Sequence, residues 1–336
     1  MTLRSIPFRA RPPWLGAGPQ TFRGLLWPGG ERPPRGHALW LPLPDGDALA
    51  AVLHPPPAGT PPRPLAMLVH GMTGSADDPC VREAAAALLR RGFPVLRLNL
   101  RGSAPSLARS RSHYHIGRAQ DLADALAALP PSLTGQGVFV AGWSLGGALV
   151  LNLLAHPLEG VTLLAGAAIC PPLDPPLALA AIDAEPLLRR LLLARYRREV
   201  LAVPATDLNE DLRAAARRAT SLREFETTVS APRFGYPSYE VFAELNHPAA
   251  ALPLIRVPTL LLLAADDPLV PVASAEGIDW EACPAVAPVL VAGGGHCGFQ
   301  DRAEESLAVR VVCGFFEGTA STGGSIPPNP PSISGS

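Results

Sequence analysis

The most constraining stretch of the chain is Val138-Phe139-Val140-Ala141-Gly142-Trp143-Ser144-Leu145-Gly146-Gly147, an apolar strand pattern that runs through Gly-x-Ser-x-Gly into a helix-forming Ala148 to Ala155. A serine oxygen that is to attack a carbonyl must stand clear of its own backbone, and a sharp strand-to-helix turn achieves this by straining the serine. Small neighbours are then required, and Gly142 and Gly146 let the crossing strand and helix approach each other. The helix N-terminus behind Ser144 offers N–H groups and a positive dipole end to an oxyanion. Because a small-residue turn of this kind can be purely structural, its chemical reading depends on partners elsewhere in the chain.

A nucleophilic serine needs a base, and the base an orienting acid, both at strand ends on the same sheet edge. Gly293-Gly294-Gly295-His296-Cys297-Gly298-Phe299 follows the last predicted strand, and its glycines leave room for an imidazole, so His296 is the candidate base. Asp266 and Asp267 end the apolar strand Thr259 to Ala264. Asp267, immediately before Pro268, is the preferred acid; Asp266 is the alternative, or caps the Asp-Asp-Pro turn. Two N–H groups are expected to form the oxyanion hole, that of Leu145 and that of Met72 in the His70-Gly71-Met72 loop after the first long buried strand. His70 ends a strand ahead of the serine and reads as a hydrogen-bonded structural histidine. His113 and His115 flank Tyr114 and would ligate a metal only with partners that the sequence does not reveal. Cys297 reads as a small packing residue. Neither metal nor cofactor is expected.

Around these motifs strands and helices alternate, as in a mostly parallel sheet with helices on both faces. The expected layout is an N-terminal arm over 1–37, extended and rich in Pro, Gly and Arg, then an α/β core over 38–172 and 255–317. A helical lid over 173–254 interrupts the core between the sixth and seventh sheet strands, and a Ser-, Gly- and Pro-rich tail over 318–336 is expected to be disordered. Within the lid, Leu187, Leu188, Leu191, Leu192 and Leu193 suit either a hydrophobic acyl pocket or ordinary helix packing.

A formal net charge of -1 gives no electrostatic case for nucleic acid or an anionic membrane surface. Five cysteines without CxxC spacing suggest neither a disulfide framework nor a zinc site, and a reducing cytoplasm fits them best. Residues 1–20 lack the apolar core of a secretion signal, and no run is clean and long enough to span a membrane.

Taken together, Pro19-Gln20-Thr21, Pro44-Asp45-Gly46-Asp47, His70-Gly71-Met72-Thr73-Gly74-Ser75, Arg97-Leu98-Asn99-Leu100-Arg101-Gly102 and Tyr114-His115-Ile116-Gly117 resemble the YheT-like branch of the α/β-hydrolases. The elbow itself, Arg223-Glu224-Phe225, Ile255-Arg256-Val257-Pro258-Thr259-Leu260, Asp266-Asp267-Pro268 and Gly294-Gly295-His296 extend that resemblance over roughly residues 8 to 316. It implies a serine carboxylesterase-like hydrolase with Ser144 as nucleophile, Asp267 as acid and His296 as base, acting on a small-molecule acyl ester or lipid. Some relatives pass the acyl group to an alcohol instead. Ile116 replaces a small polar residue of the family pattern, and Tyr239 to Pro248 lacks the family's aromatic and basic pattern. Both departures bear on substrate preference. A binding protein on a hydrolase scaffold is the reading from a different functional class.

Overall fold

In the computed structural model, residues 3–26, 30–204, 207–322 and 325–326 are described. Nine strands form one sheet: β1 (Arg4–Ile6), β2 (His37–Pro42), β3 (Ala48–His54), β4 (Leu65–Val69), β5 (Val95–Leu98), β6 (Val138–Trp143), β7 (Leu163–Ile169), β8 (Thr259–Ala264) and β9 (Val286–Val291). Their spatial order is β1-β9-β8-β7-β6-β4-β5-β3-β2, antiparallel only at β2-β3 and β3-β5. The order reverses beside β4 and β6, so the loops after these two strands open side by side at one sheet edge.

Period-2 alternation decides which helices cover which face. Leu65, Met67 and Val69 of β4 join Val138 and Val140 of β6 in one core, while Ala66, Leu68, Phe139 and Ala141 point into the other. The second core is closed by helices α2 (Pro79–Arg90) and α13 (Leu307–Ser321), with Phe139 stacked on Phe316 at 4.6 Å. The first is closed by α3 (Gln120–Ala127) and α5 (Leu145–Leu154), with short α4 (Pro131–Thr134) between them in sequence. Helix α5 carries no charge and is buried almost all round, as expected of a helix crossing the centre of a sheet.

Residues between β7 and β8 are helical and pack over the first core: α6 (Pro175–Ala184), α7 (Pro186–Ala202), α8 (Glu210–Arg218), α9 (Leu222–Phe225), α10 (Ala231–Arg233), α11 (Tyr239–Leu245) and α12 (Pro248–Ala251). A π-helical turn, Glu226–Ser230, joins α9 to α10. Three details depart from the sequence reading. The N-terminal region supplies an edge strand, β1, paired in parallel with β9, and a helix, α1 (Ala17–Leu26), so the insertion lies one strand later, between β7 and β8. Helix α13 continues to Ser321 through the start of the expected tail, while 327–336 lie outside the described residues. Among the described residues, no helix is long and apolar enough to cross a membrane.

The hairpin, the end of β5 and α3 are tied by one side chain. Arg101, almost fully buried, holds Asp121 in a two-pronged pair at 2.8 Å, with Nη1 on Asp47 at 2.5 Å and Asp45 at 2.7 Å. Asp47 and Asp121 are themselves buried, so removing the guanidinium strands two carboxylates. Arg101→Met is expected to lower unfolding stability by about 3–5 kcal/mol in urea titration; a loss below about 1 kcal/mol would show that water satisfies the carboxylates.

Candidate active site

Strand β6 and helix α5 meet at Ser144, which adopts φ 53°, ψ -123° and is held by its own N–H on Ile169 O at 2.8 Å. A left-handed φ is unfavourable for a residue with a Cβ. It persists here because a side chain on Gly142 would run into the backbone of Gly146, and one on Gly146 into the carbonyls of Val69 and His70, so strand and helix interlock around the serine. The N–H of Leu145 opens α5 and has no intrahelical acceptor. The turn after β4 lies directly alongside: a Cβ on Gly71 would stand 3.1 Å from Ser144 Cβ.

His70 is buried and stitches that turn together. Its Nδ1–H donates to Gly71 O at 2.7 Å, and its Nε2 accepts from Leu100 N at 3.0 Å; burial lowers its pKa to about 4. It is a neutral, fully engaged structural histidine. Beyond it Thr73 has φ 58°, and its N–H is fixed by Tyr114 Oη at 2.7 Å. Tyr114 in turn donates to Glu199 Oε2 at 2.6 Å, linking the β4 turn to helix α7.

The loops after β8 and β9 bring Asp267 and His296 together. Nδ1 of His296 lies 2.8 and 3.1 Å from the two carboxylate oxygens of Asp267. A carboxylate there can only accept, so the proton sits on Nδ1 and Nε2 is left as an acceptor. Asp267 Oδ1 also takes the N–H groups of Leu269 and Val270 at 2.8 and 3.0 Å, which locks its orientation. Asp266 faces elsewhere and receives Gly295 N–H at 2.8 Å, so of the two neighbouring aspartates only Asp267 contacts the imidazole. Ser144, Leu145, Met72 and His296 line one cavity of about 230 Å³, walled by carbon from α6, α7 and α11.

A second cavity, about 430 Å³, reaches His296 and Met72 from the other side, between α1 and α7, and does not touch Ser144. The clustered leucines divide between the possible roles: Leu192 lines both cavities, Leu188 and Leu191 the second, Leu193 is core and Leu187 is exposed. The two family departures, Ile116 and the Tyr239 region, lie on the first cavity through Ile116, Tyr239 and Phe242.

His113 is buried between the Tyr196 and Phe234 rings, and His115 accepts Gly117 N–H at 3.1 Å with its pKa lowered to about 3 by burial. Among the described residues, metal-ligating atoms cluster only at Cys170, His296 and Cys297, within 4.8 Å of one another. Burial raises both thiol pKa values and the imidazole is committed to Asp267, so the trio behaves as packing behind the imidazole.

The sequence reading missed the role of helix α1. Thr21 Oγ1 accepts the N–H of His296 at 2.9 Å. Gln20, buried, donates to Gln300 O at 2.9 Å and accepts Gln300 N–H at 2.8 Å, closing the loop that carries the histidine. Pro19-Gln20-Thr21 was visible as part of the resemblance, but nothing in its composition linked it to a loop about 280 residues away.

Comparison with known proteins bears on this arrangement of elements. The sequence model for the alpha/beta hydrolase fold matches residues 64–303. The chain belongs to the α/β-hydrolase fold family. This α/β hydrolase is 26% identical over 280 residues to the medium-chain fatty acid ethyl ester synthase/esterase 2 of Saccharomyces cerevisiae, covering 75% of the chain and 62% of that relative. It is 28% identical over 276 residues to YheT of Escherichia coli, covering 77% of each. Among solved structures, 2,6-dihydroxy-pseudo-oxynicotine hydrolase superposes with a TM-score of 0.57 at 18% identity, over 88% of this chain and 71% of its own, a likeness of fold.

Two outcomes test the braces. Gln20→Ala frees the histidine loop and is expected to lower kcat on any turned-over substrate by about 10²-fold with the fold retained by circular dichroism; an unchanged kcat would remove α1 from the site. Burial raises the Glu199 pKa from its usual 4.5 to about 7. The folded chain therefore binds the extra proton, and the stability it contributes is complete below the unfolded pKa and lost as pH rises through about 7. Glu199→Gln should shrink the fall in urea midpoint between pH 5 and pH 8, and an identical fall in both proteins would contradict this.

Proposed function

We propose that the protein is a serine carboxylesterase-type hydrolase that cleaves short- to medium-chain acyl esters through an acyl-enzyme on Ser144. The observation that carries this reading is the pairing of His296 Nδ1 with Asp267 at 2.8 Å on a cavity that also exposes Ser144 in its left-handed turn. In the reaction, Ser144 Oγ bonds to the ester carbonyl carbon as its proton passes to His296 Nε2. The carbonyl oxygen becomes an oxyanion between the N–H groups of Leu145 and Met72, and Asp267 holds the imidazolium. Collapse of this intermediate breaks the bond to the alcohol oxygen, which leaves with the proton from His296. Water then repeats the sequence and releases the carboxylic acid.

The two cavities divide the substrate. The apolar one contains the nucleophile and both oxyanion donors and suits the acyl chain, whereas the one that reaches His296 but not Ser144 suits the alcohol, which takes its proton from that histidine. Helices α6, α7 and α11, which wall the acyl cavity, act as the lid. A second outcome is favoured by the yeast relative named an ethyl ester synthase/esterase: an alcohol entering by the second cavity in place of water would yield an ester.

A fluorophosphonate probe should label the wild type and not Ser144→Ala, and only the wild type should hydrolyse p-nitrophenyl esters. Asp267→Asn should lower kcat about 10⁴-fold, and Asp266→Asn by less than about tenfold. Added ethanol that diverts product from acid to ethyl ester would establish transfer. A folded wild type that neither labels nor hydrolyses would leave a binding scaffold.

A further inference from the structure

The acyl cavity has a polar corner that the reaction does not use. Leu179, Ile182, Leu192 and Phe242 supply carbon to its walls, Asp78, Tyr114, His115 and Tyr196 bring polar side chains, and Glu226 and Tyr239 also line it. Glu226 is 7% exposed and Tyr239 1% exposed. Among the described residues, Glu226 Oε2, Tyr239 Oη and, one turn on from the glutamate, Ser230 Oγ are without a hydrogen-bond partner. A buried polar atom left unpaired is destabilising, so two on one cavity wall need an explanation. Packing does not provide one, because phenylalanine and leucine would fill the same space without that cost. The carboxylate also sits at the first residue of the π-helical turn Glu226–Ser230, a geometry frequent at functional sites.

Among the described residues no arginine is paired with this carboxyl, whereas the Arg223 guanidinium, 3.9 Å from the centroid of the Tyr239 ring, lies over the aromatic face. Burial raises the Glu226 pKa to about 7 against the pull of the Ser230 and Tyr196 hydroxyls. The corner therefore holds one oxygen able to accept and one hydroxyl able to donate, near enough for the Glu226 charge to act on the Tyr239 hydroxyl. The group that satisfies both is an alcohol, which donates to one and accepts from the other; a plain alkyl chain satisfies neither.

We propose that Glu226 and Tyr239 form a specificity subsite that hydrogen-bonds a hydroxyl carried on the acyl chain, so that hydroxyacyl esters are preferred over unsubstituted ones of the same length. This rests on the esterase reading for the identity of the acyl cavity, but the subsite itself can be tested without turnover. A site built around a substrate hydroxyl rejects the analogue that lacks it, because its own buried groups are then left unpaired.

The test compares kcat/KM for p-nitrophenyl octanoate with the positional isomers of its monohydroxy derivative, in wild type, Glu226→Leu, Tyr239→Phe and Glu226→Gln. The ratio of two substrates is internal to each protein, so partial misfolding of a variant does not disturb it. Wild type should favour at least one isomer by about tenfold or more. Glu226→Leu and Tyr239→Phe should bring that ratio to about one or invert it by improving the unsubstituted ester, and Glu226→Gln, which keeps an accepting oxygen, should retain part of the preference. The same contrast is read by calorimetry as binding of hydroxyoctanoate against octanoate to Ser144→Ala. A binding preference without turnover would uphold the subsite while sinking the esterase reading. Equal affinities together with a wild-type ratio of one, or a preference that survives Glu226→Leu, would overturn the proposal and leave the corner to a buried water.

Discussion

Everything at this site depends on how closely three stretches of backbone approach one another around Ser144. The serine is held at φ 53° because helix α5 starts within contact of strand β6 and of the turn after β4, an approach that a methyl group on Gly142 or Gly146 would block. The cost of that conformation is met by the surrounding sheet, where β6 is buried along its whole length and pairs with β4 on one side and β7 on the other. The strained serine is in this sense a property of the core.

A second tier of contacts orients what faces the serine. Asp267 is fixed by two backbone N–H groups before it meets the imidazole, and His296 is fixed through its own N–H by Thr21. The β4 turn is fixed from beneath by neutral His70 and from above by Tyr114, which is anchored to Glu199 of α7. Each group that would act on substrate is therefore held by a neighbour that takes no part in the reaction, as preorganised sites require.

The sheet, the elbow and the aspartate-histidine pair were legible because each carries a local signature: apolar runs of strand length, glycines flanking one polar residue, and Asp-Pro at a strand end. Ser144, His296 and Asp267 lie at such signatures; Ser144 and His296 share one cavity, and Asp267 stands behind the imidazole. What the sequence concealed lies in long-range pairing. Strand β1 is three residues long and gains its identity only from β9, and Gln20 is a glutamine in a polar helix turn until Gln300 is placed against it. The π-helical turn at Glu226 was hidden for a related reason. A run such as Glu226-Thr227-Thr228-Val229-Ser230 has no periodicity of its own, and the fold around it imposes the wider turn.

The clasp between α1 and the histidine loop also has a kinetic meaning. Gln20 and Gln300 are separated by 280 residues, so their bonds close one of the largest loops available to this chain. Strands β4 to β7 with α5 pair through shorter loops, such as that joining Leu65 to Val138, whereas this closure has to wait for both flanks of the polypeptide. The serine turn can therefore exist before the imidazole is positioned beside it. During refolding, recovery of activity should trail recovery of the sheet, and the ordering of the α1 clasp sets the lag.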